Sequence, residues 1–136
     1  IELENSTISN TNKFIPDLIH AKVIKVYDGD TITVAARLLN GNNKIYKWTV
    51  RLDGIDTPEM NSKDENEKRL AQIAKDALQN RLLLSENNKT VQLKQIKYDK
   101  YGRILAKVYF GNECINDWML NEKYAVEYHG GTKIKI

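Results

Sequence analysis

Apolar positions recur along this chain with two different periods, and the places where the period changes mark the elements. His20 to Tyr27 is rich in Val and Ile and reads as a strand. Ile32, Val34, Ala36 and Leu38 then alternate with Thr33, Ala35 and Arg37, the period of two expected of a half-buried strand. Tyr46, Trp48, Val50 and Leu52 repeat that alternation in a third strand and send Arg51 to the opposite face. Beyond them the period lengthens. Leu70, Ile73, Ala74, Ala77 and Leu78 form the stripe of an amphipathic helix. Thr90 to Lys97, with Val91 and Leu93 inward, predicts a fourth strand. Arg103 to Phe110, with Ile104, Ala106, Val108 and Phe110 on one face, predicts a fifth, and Ile115, Trp118 and Met119 suit a short second helix.

Polar residues punctuate these runs. Asp28-Gly29-Asp30 predicts a tight turn in which Gly29 supplies a positive φ, and Asn40-Gly41-Asn42-Asn43 predicts a hairpin. Ser62 and Glu65 have capping-box spacing, and Asp64, Glu65 and Glu67 place acid in the first helical turn. The helix is expected to end near Leu84, before Ser85-Glu86-Asn87-Asn88. Residues 1–17 are rich in Asn, Ser and Thr and read as a mobile lead-in, leaving 18–136 as the folded domain. Three strands, a helix, two strands and a helix predict a mainly β, α+β domain: a five-stranded OB-fold barrel with two helices.

Bulk properties add little to this picture. A length of 136 residues suits one domain. The net charge of +3 is too small to point by itself to a polyanion partner. No apolar run approaches the ~20 residues that span a bilayer. Cys114 is the lone cysteine, which excludes an internal disulfide, and its place at the head of an apolar helix pattern predicts burial. The chain opens at Ile1 rather than Met, as a processed or trimmed form would, and a secreted or extracytoplasmic location is the favoured expectation.

The turns carry the candidate chemistry. Asp28, Asp30 and Asp56 offer hard oxygen ligands of the kind calcium and magnesium prefer, although Asp28-Gly-Asp30 alone also suits a simple turn. An EF-hand does not fit: counting Asp28 as the first loop position puts Leu39 where the bidentate Glu belongs. Glu59 lies between a strand and a helix, where a loop carboxylate could accept a proton from water. Arg51 and Arg103 suit the oxygens of a phosphodiester. Tyr101, beside Lys100, could stack on a nucleotide. His20 and His129 are isolated, and neither zinc spacing nor a P-loop is present.

Read in order, Asp28-Gly-Asp30-Thr31, Arg51-Leu-Asp-Gly-Ile-Asp56-Thr-Pro-Glu59 and Asp99-Lys-Tyr-Gly-Arg103 resemble the signature of the thermonuclease, or staphylococcal-nuclease-like, family. The resemblance implies an OB-like barrel with helices and a calcium-dependent endonuclease acting on DNA and RNA. It implies that Asp30 and Asp56 bind Ca2+, that Thr57 lends a backbone carbonyl, and that Glu59 is the general base. Arg51 and Arg103 match the catalytic arginines, Lys100 and Tyr101 match positions near the nucleotide, and Asp28 matches an acid of lesser rank. A nucleotide-contacting tyrosine of the family's best-known members aligns with His129, beside Tyr128. Those members also carry a further helix after the barrel, which this sequence, ending at Ile136, does not include. A monomer is expected. The competing readings are a catalytically silent nucleic-acid-binding OB module and a calcium-dependent protein-interaction domain. Retention of both arginines, Glu59 and both aspartates favours the enzyme.

Overall fold

The segments of period two become the wall of a barrel. In a computed structural model, which describes residues 2–38, 41–84 and 90–129, β1 (His20–Asp28), β2 (Thr31–Arg37) and β3 (Ile45–Leu52) form an antiparallel meander. A two-residue strand, β4 (Ile55–Asp56), and helix α1 (Glu65–Leu82) follow. β5 (Thr90–Tyr98) returns antiparallel to β1, and β6 (Ile104–Phe110) lies antiparallel to β5. A parallel pairing of β3 with β6 then closes the cylinder, setting Val50 opposite Ile104, Arg51 opposite Leu105 and Leu52 opposite Ala106. β7 (Glu113–Cys114) folds back antiparallel on the end of β6, α2 (Ile115–Asn121) follows, and β8 (Val126–Glu127) pairs with β4. The closed five-stranded barrel with two helices is the architecture that the sequence predicts.

Inward positions of the five strands supply the core, with Ile32, Val34, Val50, Leu52 and Val108 fully buried. Removing such apolar surface from water is the main stabilising term for the fold. Cys114 is buried, as its position predicts. Burial begins at Pro16 and Leu18, and residues 2–15 are exposed.

Several local expectations need correction. Helix α1 buries Ala71, Ala74, Leu78 and Leu82, while Ile73 is 40% exposed, so the buried face is rotated from the expected stripe. Small alanines sit where the helix approaches β1, and the larger Ile73 stays at the edge. The N-cap of α1 is Asp64, which accepts from the Asn66 N–H, while Ser62 donates to Glu67 rather than forming the capping box with Glu65. The helix stops at Leu82, and Ser85–Asn88 lie outside the described residues, as do Asn40, Gly130 and Gly131. Tyr46, at the open end of β3, is 39% exposed, and Trp48 is half-buried, donating its indole N–H to the Ala36 carbonyl at 3.2 Å.

Gly29 is required for a reason other than the one expected. It does not adopt a positive φ; instead a Cβ there would fall 2.9 Å from both Ala74 Cβ and Thr57 Cγ2. The glycine lets the β1–β2 turn, the loop after β4 and helix α1 touch at one point.

One buried polar residue, which the apolar periodicity does not predict, stitches the closing seam. Asn116, at the start of α2, is 2% exposed. Its Oδ1 accepts from Val108 N–H at 2.9 Å, and its Nδ2 donates to Asp53 O at 2.8 Å and Ala106 O at 3.1 Å. The side chain thus binds β6 and the chain leaving β3 together. Truncating it leaves buried backbone groups without these partners, so Asn116→Ala is expected to destabilise the domain by on the order of 3 kcal/mol. Urea denaturation with an unchanged m-value would register the loss as a lower midpoint, and an unchanged midpoint would remove Asn116 from this role.

Candidate active site

The β1–β2 turn, the end of β3 and the loop after β4 meet at one end of the barrel. Asp28 Oδ1 accepts from the Asp30 N–H at 3.1 Å, which tightens the turn, and Leu52 N–H donates to Asp30 O at 2.8 Å, tying the turn to β3. β1 carries an irregularity between Val26 and Asp28, so Asp28 pairs with Thr31 one residue out of the earlier register. Bulges of this kind re-aim side chains beside functional sites.

Asp30 and Asp56 are both buried, at 7% and 8% exposure. One nitrogen of Arg51, Nη2, reaches both carboxylates, at 3.5 Å to Asp30 and 3.4 Å to Asp56. Thr57 donates its N–H and its hydroxyl to Asp30 Oδ2 at 3.2 and 3.1 Å, and Thr31 donates its hydroxyl to Asp30 Oδ1 at 3.1 Å. Burial pushes the Asp28 carboxyl up to about 7, and the neighbouring Asp30 adds to the rise through a hydrogen bond and charge repulsion. Acidic charge is therefore crowded at this end of the barrel beyond what one guanidinium offsets.

That crowding bears on whether a cation fits. The donors are hard oxygens on separate loops, as a calcium-type ion requires. Among the described residues no three His, Cys, Asp or Glu side chains gather tightly enough to hold an ion by themselves. Backbone, water and substrate oxygens would have to complete the shell around Asp30 and Asp56. On donor chemistry and charge the residues fit such an ion.

Glu59 is exposed at the rim of this acidic cleft. Its N–H donates to Glu67 Oε2 at 3.1 Å, and Ser62 donates its hydroxyl to Glu67 Oε1 at 2.7 Å. The first turn of α1 thereby anchors the loop that carries Glu59.

Arg103 comes from a different turn. Asp99 Oδ1 accepts from the Tyr101 N–H at 2.9 Å and the Arg103 N–H at 2.8 Å, while Asp99 Oδ2 accepts from Arg103 Nε at 2.6 Å. Gly102 adopts φ 82, which glycine tolerates and other residues rarely do. Burial alone would raise the Asp99 carboxyl, but the hydrogen bonds from Arg103 and Tyr101 outweigh it and hold the group below the ordinary carboxylate range. The Arg103 side chain is 53% exposed, which leaves it accessible to a ligand.

Two adjoining clefts share Arg51, Arg103 and Tyr128. One, of about 390 Å³, includes Asp28, Asp30, Asp56, Thr57 and Glu59. The other, of about 550 Å³, includes Lys97, Lys100, Tyr101, Lys107 and His129. The fold therefore assembles every expected residue around a junction between an acidic and a basic hollow. Lys100 and Tyr101 stand on the basic side, and Tyr101 is 72% exposed. Tyr128 is a residue that sequence reasoning ranked below His129. Its ring centroid lies 5.4 Å from the Arg51 guanidinium carbon, in cation–π range, and the pairing of β8 with β4 brings it there.

The sequence matches the family model described as staphylococcal nuclease homologue over residues 49–134. It is 36% identical to a thermonuclease of Staphylococcus hyicus, over 76% of this chain and 56% of that protein. It is 34% identical to an uncharacterized protein of Bacillus anthracis, over 81% of this chain and 48% of the other. A third relative, an uncharacterized protein of Methanocaldococcus jannaschii, is 30% identical over 85% of this chain and 62% of its own length. The chain thus spans roughly half the length of the curated relatives it matches. The stretch matched by the family model holds Arg51, Asp56, Thr57, Glu59 and Arg103, whereas Asp28 and Asp30 precede it and join through the fold.

Asp99 gives a pH signature. Its folded-state pKa is depressed, so its stabilising contribution is present above the unfolded value of about 3.9 and is lost as pH falls through the folded one. Asp99→Asn should therefore lower the urea midpoint most at pH 7, with the gap to the parent protein narrowing below about pH 4. A gap of constant size across that range would show that the carboxylate charge does not hold this turn.

Proposed function

The chain belongs to the staphylococcal nuclease homologue family, and we propose that this domain hydrolyses phosphodiester bonds of DNA and RNA as a calcium-dependent endonuclease. The observation that carries the reading is the junction of the two clefts, where Arg51 and Arg103 stand between acidic oxygens and a basic, tyrosine-bearing hollow.

Asp30, Asp56 and the Thr57 carbonyl would hold the calcium ion. When bound, such an ion supplies positive charge beside the substrate oxygens. The chain's own residues do the remaining work. Arg51, on β3, and Arg103, in the turn that leads into β6, grip the phosphodiester from the two sides of the barrel seam. As a water oxygen adds to phosphorus and one ester P–O bond breaks, negative charge grows on the equatorial oxygens. Two fixed guanidiniums match that charge better than they match the ground state. Glu59, at the rim and anchored through Glu67, accepts the proton that the water gives up. Tyr128 braces Arg51 through its ring, and Lys100 and Tyr101 receive the neighbouring nucleotide.

The first test is cleavage of plasmid and of single-stranded RNA over a calcium titration, with chelator and with magnesium as controls. Calcium accepts irregular oxygen shells where magnesium demands a near-ideal octahedron, so magnesium should support little cleavage. In the same titration, Asp56→Asn should weaken the calcium response and recover at least partly at high calcium, because an amide oxygen is a poorer ligand. Glu59→Gln should stay slow at every calcium concentration, because an amide cannot take the proton. Full activity in chelator would end the calcium assignment, and rescue of Glu59→Gln by calcium would make Glu59 a ligand rather than the base.

Arg103→Lys tests the electrophilic role separately. Lysine keeps the charge but loses the planar, two-pronged contact. Turnover should fall on the order of 10²-fold, by comparison with loss of an oxyanion donor. Near-normal turnover in a folded variant would exclude Arg103 from that role.

A further inference from the structure

Beyond the cleft, the outer wall of β5 and β6 bears features that the reaction itself does not use. Lys107 lines the basic hollow beside Arg51 and Arg103. It stands directly opposite Lys94 in the β5–β6 ladder. Like charges placed across from one another destabilise a strand pair unless something negative lies over them. Lys94 Nζ sits 4.3 Å from the centroid of Tyr109, which is two residues beyond Lys107 and therefore on the same face. Tyr109 is only half-buried, so part of its ring is open to solvent.

A bulge maintains this alignment. Between Lys94 and Lys97, β5 holds one residue more than β6 does between Leu105 and Lys107, and Gln95 takes the left-handed value φ 55. The extra residue keeps Lys94 and Lys97 on the outer face although they are three apart. Lys97 is occupied by Asp53 at 3.2 Å, so the cations available to a ligand on this wall are Lys94 and Lys107. Successive outward residues on β6 lie ~6.6 Å apart, and they lead from Leu105, which faces Arg51, through Lys107 to Tyr109.

We propose that Lys107, Lys94 and Tyr109 form a second binding site, a track that takes the single-stranded stretch of polynucleotide next to the link being cut. Its two ammonium groups meet successive phosphates, and the Tyr109 ring receives a base. The track rests on the phosphodiesterase reading for where the strand begins, and its own residues lie outside the acidic cleft. It makes the substrate a polymer held over several nucleotides rather than a single phosphodiester, and it selects unpaired strands because a stacked base must present its face.

Fluorescence anisotropy in chelator, with a labelled oligothymidylate of about 12 nucleotides, tests this within the usual span of an OB fold. The double variant Lys94→Gln/Lys107→Gln should bind about tenfold more weakly, and its log–log salt slope should fall by roughly 1.4, the value for two single-strand phosphate contacts. The charge-matched control Lys75→Gln/Lys123→Gln should bind like the parent protein. Tyr109→Leu should weaken the oligothymidylate about fivefold or more and leave a duplex of equal length nearly unaffected. Urea midpoints confirm folding, and the Lys94/Lys107 variant should be no less stable than its parent, because it removes a repulsive pair. Unchanged affinity and slope in the double variant, or an equal loss in the control, overturns the track. An equal loss for duplex and single strand in Tyr109→Leu overturns its selection of unpaired strands. Parent protein that cuts plasmid in calcium while these variants bind normally leaves the phosphodiesterase reading standing; parent protein that neither cuts nor binds brings down both.

Discussion

The parallel contact between β3 and β6 is the constraint on which this molecule depends. Without it the five strands are an open sheet, with Arg51 near one edge and Arg103 beside the other. With it, Arg51 lies opposite Leu105, and the two arginines come to border the same pair of clefts. Parallel pairing between segments so far apart in sequence carries a loop-closure cost that local contacts do not repay. Asn116 answers that cost with three hydrogen bonds directed at both sides of the seam. Ordering a helix start for this purpose also sets the course of the chain from α2 to β8, and hence the approach of Tyr128 to Arg51.

Charge is organised around the same seam. Arg51 divides one nitrogen between Asp30 and Asp56, while Arg103 is held by Asp99, so each arginine has a carboxylate that fixes its direction. Arg51 is 11% exposed and Arg103 is 53% exposed. The first belongs to the floor and the second to the entrance. A mild net charge conceals this arrangement, because acids gather in one hollow and lysines line the next. That separation is a property of the fold, and no sum over composition could have shown it.

Much of the barrel was legible in the sequence because a wall strand has only two faces. Val34, Val50, Leu93, Ala106 and Val108 alternate with polar residues and are buried as the period requires. The helix was legible as an element but not in its rotation. The expected stripe and the buried face share Ala74 and Leu78, but the face takes in Ala71 and Leu82 in place of Leu70 and Ile73, because alanine permits the close approach at which a larger residue would not fit. The bulges in β1 and β5 were hidden, since one extra residue leaves no compositional trace. Most candidate site residues were legible because they sit in turns with unusual chemistry. Tyr128 and Asn116 were not, because their importance arises from neighbours distant in sequence.

The contact at Gly29 has a consequence for which partner adapts when a ligand arrives. Gly29 meets the Ala74 and Thr57 side chains there with no room for a methyl group, so the peptide carrying Asp30 and the loop carrying Thr57 cannot draw closer without disturbing α1. Side-chain torsions of the carboxylates remain adjustable, but their attachment points do not. In the reading proposed here, accommodation falls to the visitor: an ion with a pliable coordination sphere can conform to oxygens it did not arrange, whereas one that insists on its own geometry finds a host unable to yield.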